Sequence, residues 1–424
     1  MARFRDVLSN KNFLLLWLGQ IVSQFGDRLN QMALVALVSL IAPGSSMAMA
    51  KVLACTLLPS VLVGPFAGAY VDRWDKRWTM VVCDLLRAGL VLFLVLALYW
   101  RLSLVPVYIL VFLTFSVTRF FLPSKLAIVP ELVAPKKLLV ANSLASVTNL
   151  IAGMGSFALG GILVAQVGYR TALSVDAVTY LVSSVFLVMM VLPRVPRQAE
   201  PSVERKDGTR AGGLGRLLQE IREGIDLLWQ HSESRFLLGK LGVLWAGCGV
   251  VSVVMVVFLQ QSLNTVTEGL GVLVSFLVAG LFVGALGYGR LGGRYRRNRV
   301  MCSSLTAAGV LLLAAVLGVG STGNAVLASV LTFTLGVVVA PMAVSSMTLV
   351  HEVVPENMHG RVFSSVMVVG DLAFLVCMLL ASALSEVIGQ EPILLGVGVV
   401  FVLLGPMGWG LQPRMAVSPS VTPR

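Results

Sequence analysis

Charge is scarce in this sequence. Only 12% of its 424 residues are Asp, Glu, Lys or Arg, against the roughly 25% of a soluble globular chain, so water is not its main solvent. The five cysteines, Cys55, Cys83, Cys248, Cys302 and Cys377, stand singly in apolar stretches without a CxxC pair. That spacing excludes a disulfide framework or a thiolate metal centre and leaves them as small, reduced apolar fillers. Histidine is rarer still: His231, His351 and His359 lie in or beside polar connections and form no metal or general-base set. No phosphate-cradling Walker loop is present to power a pump with ATP. No paired carboxylates or Ser-His set sits in a loop, so an enzyme is not expected and no cofactor or metal is implied.

What the chain has in abundance is apolar length. Hydrophobic residues make up 57% of it, arranged in repeated runs of about 18 or more, each able to cross a hydrocarbon core of ~30 Å. Apolar length and breakers place spans at residues 13–41, 48–71, 78–100, 103–128, 139–167, 170–192, 236–262, 268–290, 300–320, 323–354, 361–388 and 391–412. The expected fold is an all-α membrane protein with twelve transmembrane helices. The first run carries Gln20, Gln24, Asp27 and Arg28 and has no small-residue cleavage site, which reads as a retained helix and not a signal peptide. Residues 193–235 break the pattern with Pro193, Pro196, Pro201, Gly208, Gly212, Gly213 and dense charge. They form a linker between two halves, 1–192 and 236–424.

The net charge of +12 does not point to nucleic acid, because the basic residues fall between apolar runs and beside no nucleic-acid motif. They report orientation. With both termini placed in the cytoplasm, 24 Lys and Arg fall on that side and only Lys51, Arg101 and Arg170 on the other, the remaining five lying within spans. This is the asymmetry of the positive-inside rule for an even number of spans, and the expected location is a bacterial inner membrane. The halves also repeat. An offset of 221 residues lays Gly68, Arg73 and Trp74 on Gly289, Arg294 and Tyr295, and Glu131 and Val133 on Glu352 and Val354.

Two parallel six-helix repeats joined by a long cytoplasmic linker resemble the major facilitator architecture, in which the site lies near the midplane between the halves. After the second span, Gly68-Ala69-Tyr70-Val71-Asp72-Arg73-Trp74-Asp75-Lys76-Arg77 resembles that family's loop signature. The resemblance implies a conformational latch made by Gly68, Asp72, Arg73, Lys76 and Arg77, with topology anchoring as the other role for the basic residues. The second-half counterpart has Gly293 where the acid would stand, so the latch is expected on one side. In the fifth span Gly153, Gly155, Gly160 and Gly161 mean close helix packing.

Polar residues inside the spans are functional candidates because each is costly there. Gln20, Gln24, Asp27 and Gln31 are spaced by four, three and four, so they share one helical face, which should line the cavity. Asn30 is a further cavity candidate. Asp27 is expected either to carry a proton or substrate contact, or to pair with Arg28. Arg119 stands roughly 24 Å from the outer end of its span at 1.5 Å per residue and resembles the fourth-helix arginine of major facilitator antiporters, which implies a part in proton exchange, with a purely structural ion pair as the other role. Asp371, about 15 Å inside the eleventh span, is the second deep acid.

The motifs Asn12-Phe13, Trp17-Leu18-Gly19-Gln20, Phe25-Gly26-Asp27, Pro130-Glu131-Leu132-Val133, Ala141-Asn142-Ser143-Leu144 and Gly360-Arg361-Val362-Phe363 resemble the branch holding macrolide efflux proteins and the enterobactin exporter. Pro123-Ser124-Lys125 and Glu233-Ser234-Arg235-Phe236 are similar to bacterial lysophospholipid transporters, in which Lys125 would hold a lipid phosphate; otherwise it anchors the inner end of its span. The expected function is proton-coupled export of an amphipathic or hydrophobic small molecule by alternating access. The alternative is a lysophospholipid flippase. Asp27, Arg119 and Asp371 are the coupling candidates, and Gln20, Gln24, Asn30, Gln31 and Lys125 the cavity candidates. The expected partners are the substrate, protons or another coupling ion, and the lipid bilayer, with the chain acting as a monomer.

Overall fold

The computed structural model describes residues 7–71, 74–100, 103–134, 137–191, 232–292, 295–353 and 359–410. Its helices are α1 (Lys11–Ile41), α2 (Ser46–Leu62), α3 (Gly64–Val71), α4 (Lys76–Trp100), α5 (Leu104–Leu132), α6 (Leu138–Met189), α7 (Ser232–Ser262), α8 (Glu268–Leu291), α9 (Arg297–Thr322), α10 (Ala325–Val353), α11 (His359–Ile388) and α12 (Gln390–Gly410). Most of the expected linker, including its amphipathic segment 217–229, lies outside the described residues.

Two expected boundaries are realised differently from a simple run count. The second span is two helices, because Pro59 and Pro65 have no N–H to continue the hydrogen-bond ladder. The chain steps at Val63, whose N–H bonds the Pro59 carbonyl at 2.9 Å and whose own carbonyl accepts from Phe66 and Ala67. The fifth and sixth spans are continuous in α6 except at Gly168, where φ 81 and ψ 160 suit a residue without a Cβ. Residues 138–167 and 169–189 on either side are the two crossings. By length and composition, eight helical segments among the described residues can cross a membrane. α1 is not one of them, since Gln20, Gln24, Asp27, Arg28, Asn30 and Gln31 interrupt its apolar surface.

Packing repeats between the halves. α1 packs on α6, α2 on α5 and α4 on α6; correspondingly α7 packs on α11, α8 on α10 and α9 on α12. The halves meet where α6 packs on α8 and α2 on α11. Glycine makes the first of these contacts close. A Cβ on Gly161 would lie 2.4 Å from the Thr267 carbonyl oxygen and 3.0 Å from the Gly271 Cα, and one on Gly271 would lie 2.4 Å from the Phe157 carbonyl oxygen. Backbones that touch at this distance gain dispersion contacts that lipid cannot match.

The apolar cores divide by depth. At the end remote from the termini, a buried cluster built on Leu29, Leu37, Met49 and Leu98 continues into Val253, Leu375 and Met378 of the second half. At the termini end one cluster, including Phe13, Met80, Phe121, Ile128 and Leu187, is drawn from the first half, and another, Leu305, Ala308, Met342 and Phe401, from the second.

Hydrogen bonds follow the same division. At the remote end Gln260 donates to Ser39 Oγ at 2.8 Å, Gln390 to the Gly44 carbonyl at 3.4 Å, and the Ser45 hydroxyl and Met47 N–H to Glu386 Oε1 at 2.5 and 3.2 Å, all between halves. Ser45 caps α2 by accepting from Ala48 N–H, and Glu386 satisfies a second orphan donor of the same turn from the opposite half. At the termini end, Asn10 donates to the Leu132 carbonyl at 2.6 Å and Asn12 to that of Val191 at 2.8 Å, within the first half.

Gly161→Ala is expected to destabilise the purified protein by about 1–3 kcal/mol through overpacking. Gly89→Ala, where a Cβ meets nothing within 4 Å, is expected to be neutral or stabilising by up to ~1 kcal/mol. Thermal unfolding in detergent measures both.

Candidate functional site

The site residues of α1 divide into two sets when placed in the bundle. Gln24, Asp27 and Gln31 are half-buried, while Gln20 is buried with its Nε2 unpartnered. Asn30, one residue off that face, turns into the α6 packing surface, where its side chain donates to Asp176 Oδ2 at 2.5 Å. Asp27 accepts from the Tyr180 hydroxyl of α6 at 2.5 Å. Arg28 forms no ion pair with Asp27; it donates to Gln31 Oε1 at 3.0 Å and lies 4.7 Å over the Phe157 ring.

α5 supplies two cations at different depths. Arg119 donates to the Thr56 carbonyl of α2 at 3.2 Å, and its Nε is buried without a partner. The charge acting on it is Asp371 of α11, so the two stand within electrostatic range across the boundary between halves. Lys125 stands within range of Asp27 and Arg87. Neither cation makes a salt bridge with its acid among the described residues. A cavity of about 650 Å³ between α4 and α5, lined by Trp74, Trp78, Val82, Leu86, Val117, Phe120 and others, includes none of these charges and is bordered by exposed apolar side chains.

The loop signature is described in part. Gly68 lies in α3, though nothing is described of its side-chain surroundings, and Asp72 and Arg73 lie outside the described residues. Lys76 and Arg77 begin α4. Lys76 pairs with Glu131 at the end of α5, and Arg77 donates to the Leu187 carbonyl at 2.9 Å and to that of Val188. Both therefore tie α4 to its neighbours within the first half.

Sequence reasoning assigned no role to the buried charges of α4 and α6. Asp84 and Arg87 of α4 are 0% and 2% exposed and form an ion pair one turn apart. The guanidinium lies 4.4 Å over the rings of both Phe121 and Tyr180. Asp176 is fully buried, accepts from Asn30 and leaves Oδ1 unpartnered. Gly26 permits this crossing, since a Cβ there would lie 2.0 Å from Thr179 Oγ1 and 2.5 Å from Asp176 Oδ1. The available signal was opposite charges three residues apart in an otherwise apolar run.

The family model of the Major Facilitator Superfamily matches residues 16–248 and 237–423. The chain belongs to that superfamily. It is a multi-pass membrane transporter and not an enzyme. An uncharacterized MFS-type transporter of Bacillus subtilis, YfiS, is 25% identical over 411 residues, covering 94% of this chain and 92% of that one. Macrolide efflux protein A of Streptococcus pyogenes is 24% identical over 304 residues, covering 71% of each. Another B. subtilis MFS-type transporter, YkuC, is 25% identical but is spanned over only 50% of its length, with 52% of this chain covered. Among solved structures, a mutant form of the nucleoside transporter NupG superposes with TM-score 0.75 at 12% identity, covering 94% of this chain and 100% of the other. A bacterial homologue of the iron transporter ferroportin, in an inward-facing state, gives 0.72 at 16%, covering 94% and 98%. At such identities these two likenesses speak for the fold alone.

In this transporter the Asp84–Arg87 pair carries a clear energetic expectation. Arg87→Ala strands a buried carboxylate and should cost about 3–5 kcal/mol, whereas Asp84→Asn with Arg87→Met removes both charges and should cost far less. Chemical or thermal unfolding of the purified variants compares the two.

Proposed function

We propose that this transporter exports an amphipathic or hydrophobic small molecule in exchange for protons, by alternating access between the units 1–192 and 236–424 joined by the linker 193–235. On this reading the chain sits in a bacterial inner membrane as a monomer with both ends in the cytoplasm. The observation that carries the mechanism is an asymmetry of depth among the described residues: the halves share an apolar core and four side-chain hydrogen bonds at the remote end, whereas the buried clusters at the termini end are each drawn from one half. With the basic-rich side cytoplasmic, this supports an inward-open state.

Coupling is read from the charges. Arg119 and Asp371 sit on different halves, so rocking one half against the other changes their separation, and with it the free energy of charging the acid. Asp27 faces the same interior from α1. The likeness to macrolide efflux protein A supports an apolar or amphipathic cargo. The second reading, movement of a lysophospholipid, rests on Lys125, whose amine stands within range of Asp27 and Arg87 and would meet a phosphate there.

The test is flux in proteoliposomes under an imposed pH gradient, comparing a lipophilic drug with a labelled lysophospholipid. Drug flux that follows the gradient, falls at least about tenfold in Asp27→Asn or Asp371→Asn and ignores Lys125→Ala is the expected result. Gradient-independent lysolipid movement abolished by Lys125→Ala replaces it with the lipid reading, and unchanged gradient-driven flux in both Asp variants and their double overturns the coupling assignment.

The inward-open assignment makes its own prediction at Glu386. Glu386→Ala removes the cross-half cap on α2 and should raise the outward-open population by about two- to fivefold, the equivalent of a helix-terminus charge interaction. Distances between spin labels at Pro43 and Leu263 measure the shift.

A further inference from the structure

We infer that Tyr180, held by Arg87, is the positioning residue for Asp27, and that the Asp84–Arg87 pair serves the coupling site and not packing alone. This rests on the reading of Asp27 as a proton carrier. Tyr180 is 3% exposed and its hydroxyl reaches Asp27 Oδ1 at 2.5 Å, a direct link from α6 to the acid on α1. Its ring cannot swing away, because the Arg87 guanidinium lies on it at 4.4 Å and is backed at 4.4 Å by Phe121 of α5. Asp84 fixes that guanidinium from one turn earlier on α4.

A structural role alone does not account for this arrangement. Packing three helices around a cation and its counter-ion is no more stable than packing apolar side chains of the same volume. What the pair adds is a cation on the face of a phenol, an attraction that grows when desolvated, and it draws electron density from the ring so that the O–H is a stronger donor. The recipient is the one half-buried acid of the α1 face. A second contact, Asn30 to Asp176 at 2.5 Å, keeps α1 and α6 in register one turn away, so the Tyr180 hydroxyl meets Asp27 and no other acid. The titratable groups facing Asp27 are Arg28 on its own helix, Asp84 and Arg87 from α4, Lys125 from α5, and Asp176 and Tyr180 from α6. Of these only Tyr180 hydrogen-bonds it among the described residues.

The experiment is the pH profile of gradient-driven drug flux for wild type, Asp27→Asn, Tyr180→Phe, the double variant Asp27→Asn/Tyr180→Phe, and Asp84→Asn/Arg87→Met. Loss of the phenol donor should move the midpoint of the Tyr180→Phe profile to higher pH by about one unit, with substrate KM within about twofold of wild type. In the Asp27→Asn background Tyr180→Phe should add nothing. The charge-pair variant should move the midpoint in the same direction by less.

If Asp27→Asn keeps the wild-type profile, the reading of Asp27 fails and the inference falls with it. If Asp27→Asn flattens the profile while Tyr180→Phe leaves the midpoint in place, the inference alone is overturned. A Tyr180→Phe shift that persists without Asp27 also overturns it, since the phenol would then act through another group. A wild-type midpoint in the charge-pair variant removes Arg87 from the assignment.

Discussion

A guanidinium buried inside an apolar helical bundle has to be matched there, because water does not reach it, and the first half of this transporter is arranged around that requirement. Arg87 is met by Asp84 from its own helix and by two aromatic faces from α5 and α6. Those partners fix how closely α4, α5 and α6 approach. Tyr180 carries the arrangement on to Asp27, so the half-buried acid of α1 stands on a foundation of buried charge. Arg119 and Lys125 lack such a match and stand within range of an acid without bonding it; on the proposed reading, groups left so respond when helices move.

On the alternating-access reading, movement depends on how unevenly the described parts of the halves adhere. Between them, lipid is as good a solvent for apolar side chains as protein is, so adhesion depends on close backbone contact and polar bonds. Gly161 and Gly271 provide the first, and the Glu386 cap on α2 with its neighbouring hydrogen bonds provides the second. Among the described residues the polar bonds are at the remote end. Each is worth little against water and can be exchanged for it, which suits a contact that must open and reform in a transport cycle.

Much of the scaffold was legible from periodicity and charge. Twelve apolar runs, one polar interruption and a one-sided distribution of Lys and Arg describe the fold because a membrane leaves the chain few alternatives. Asp27, Arg119 and Asp371 stood out because a charge inside an apolar run is costly wherever it occurs. The split of the second span at Val63 follows from Pro59 and Pro65, yet its position was hidden because proline sets which bond is lost and not how the chain absorbs the loss. Asn30 was grouped with the cavity residues by its chemistry, whereas its direction on the helix joins it to Asp176.

The sequence by itself therefore determined the solvent of this protein, the number of its crossings, its family and which residues are expensive to bury, since each of these depends on composition or local order along the chain. Only the tertiary structure decided which expensive residues cancel one another. Asp84 with Arg87, Asn30 with Asp176 and Tyr180 with Asp27 are set by the rotation and spacing of packed helices, and glycine contacts more than a hundred residues apart in the chain set that spacing. The same holds for the contact between the halves at the remote end: Glu386 lies 341 residues from Ser45, and only the assembled halves bring a carboxylate to the start of α2.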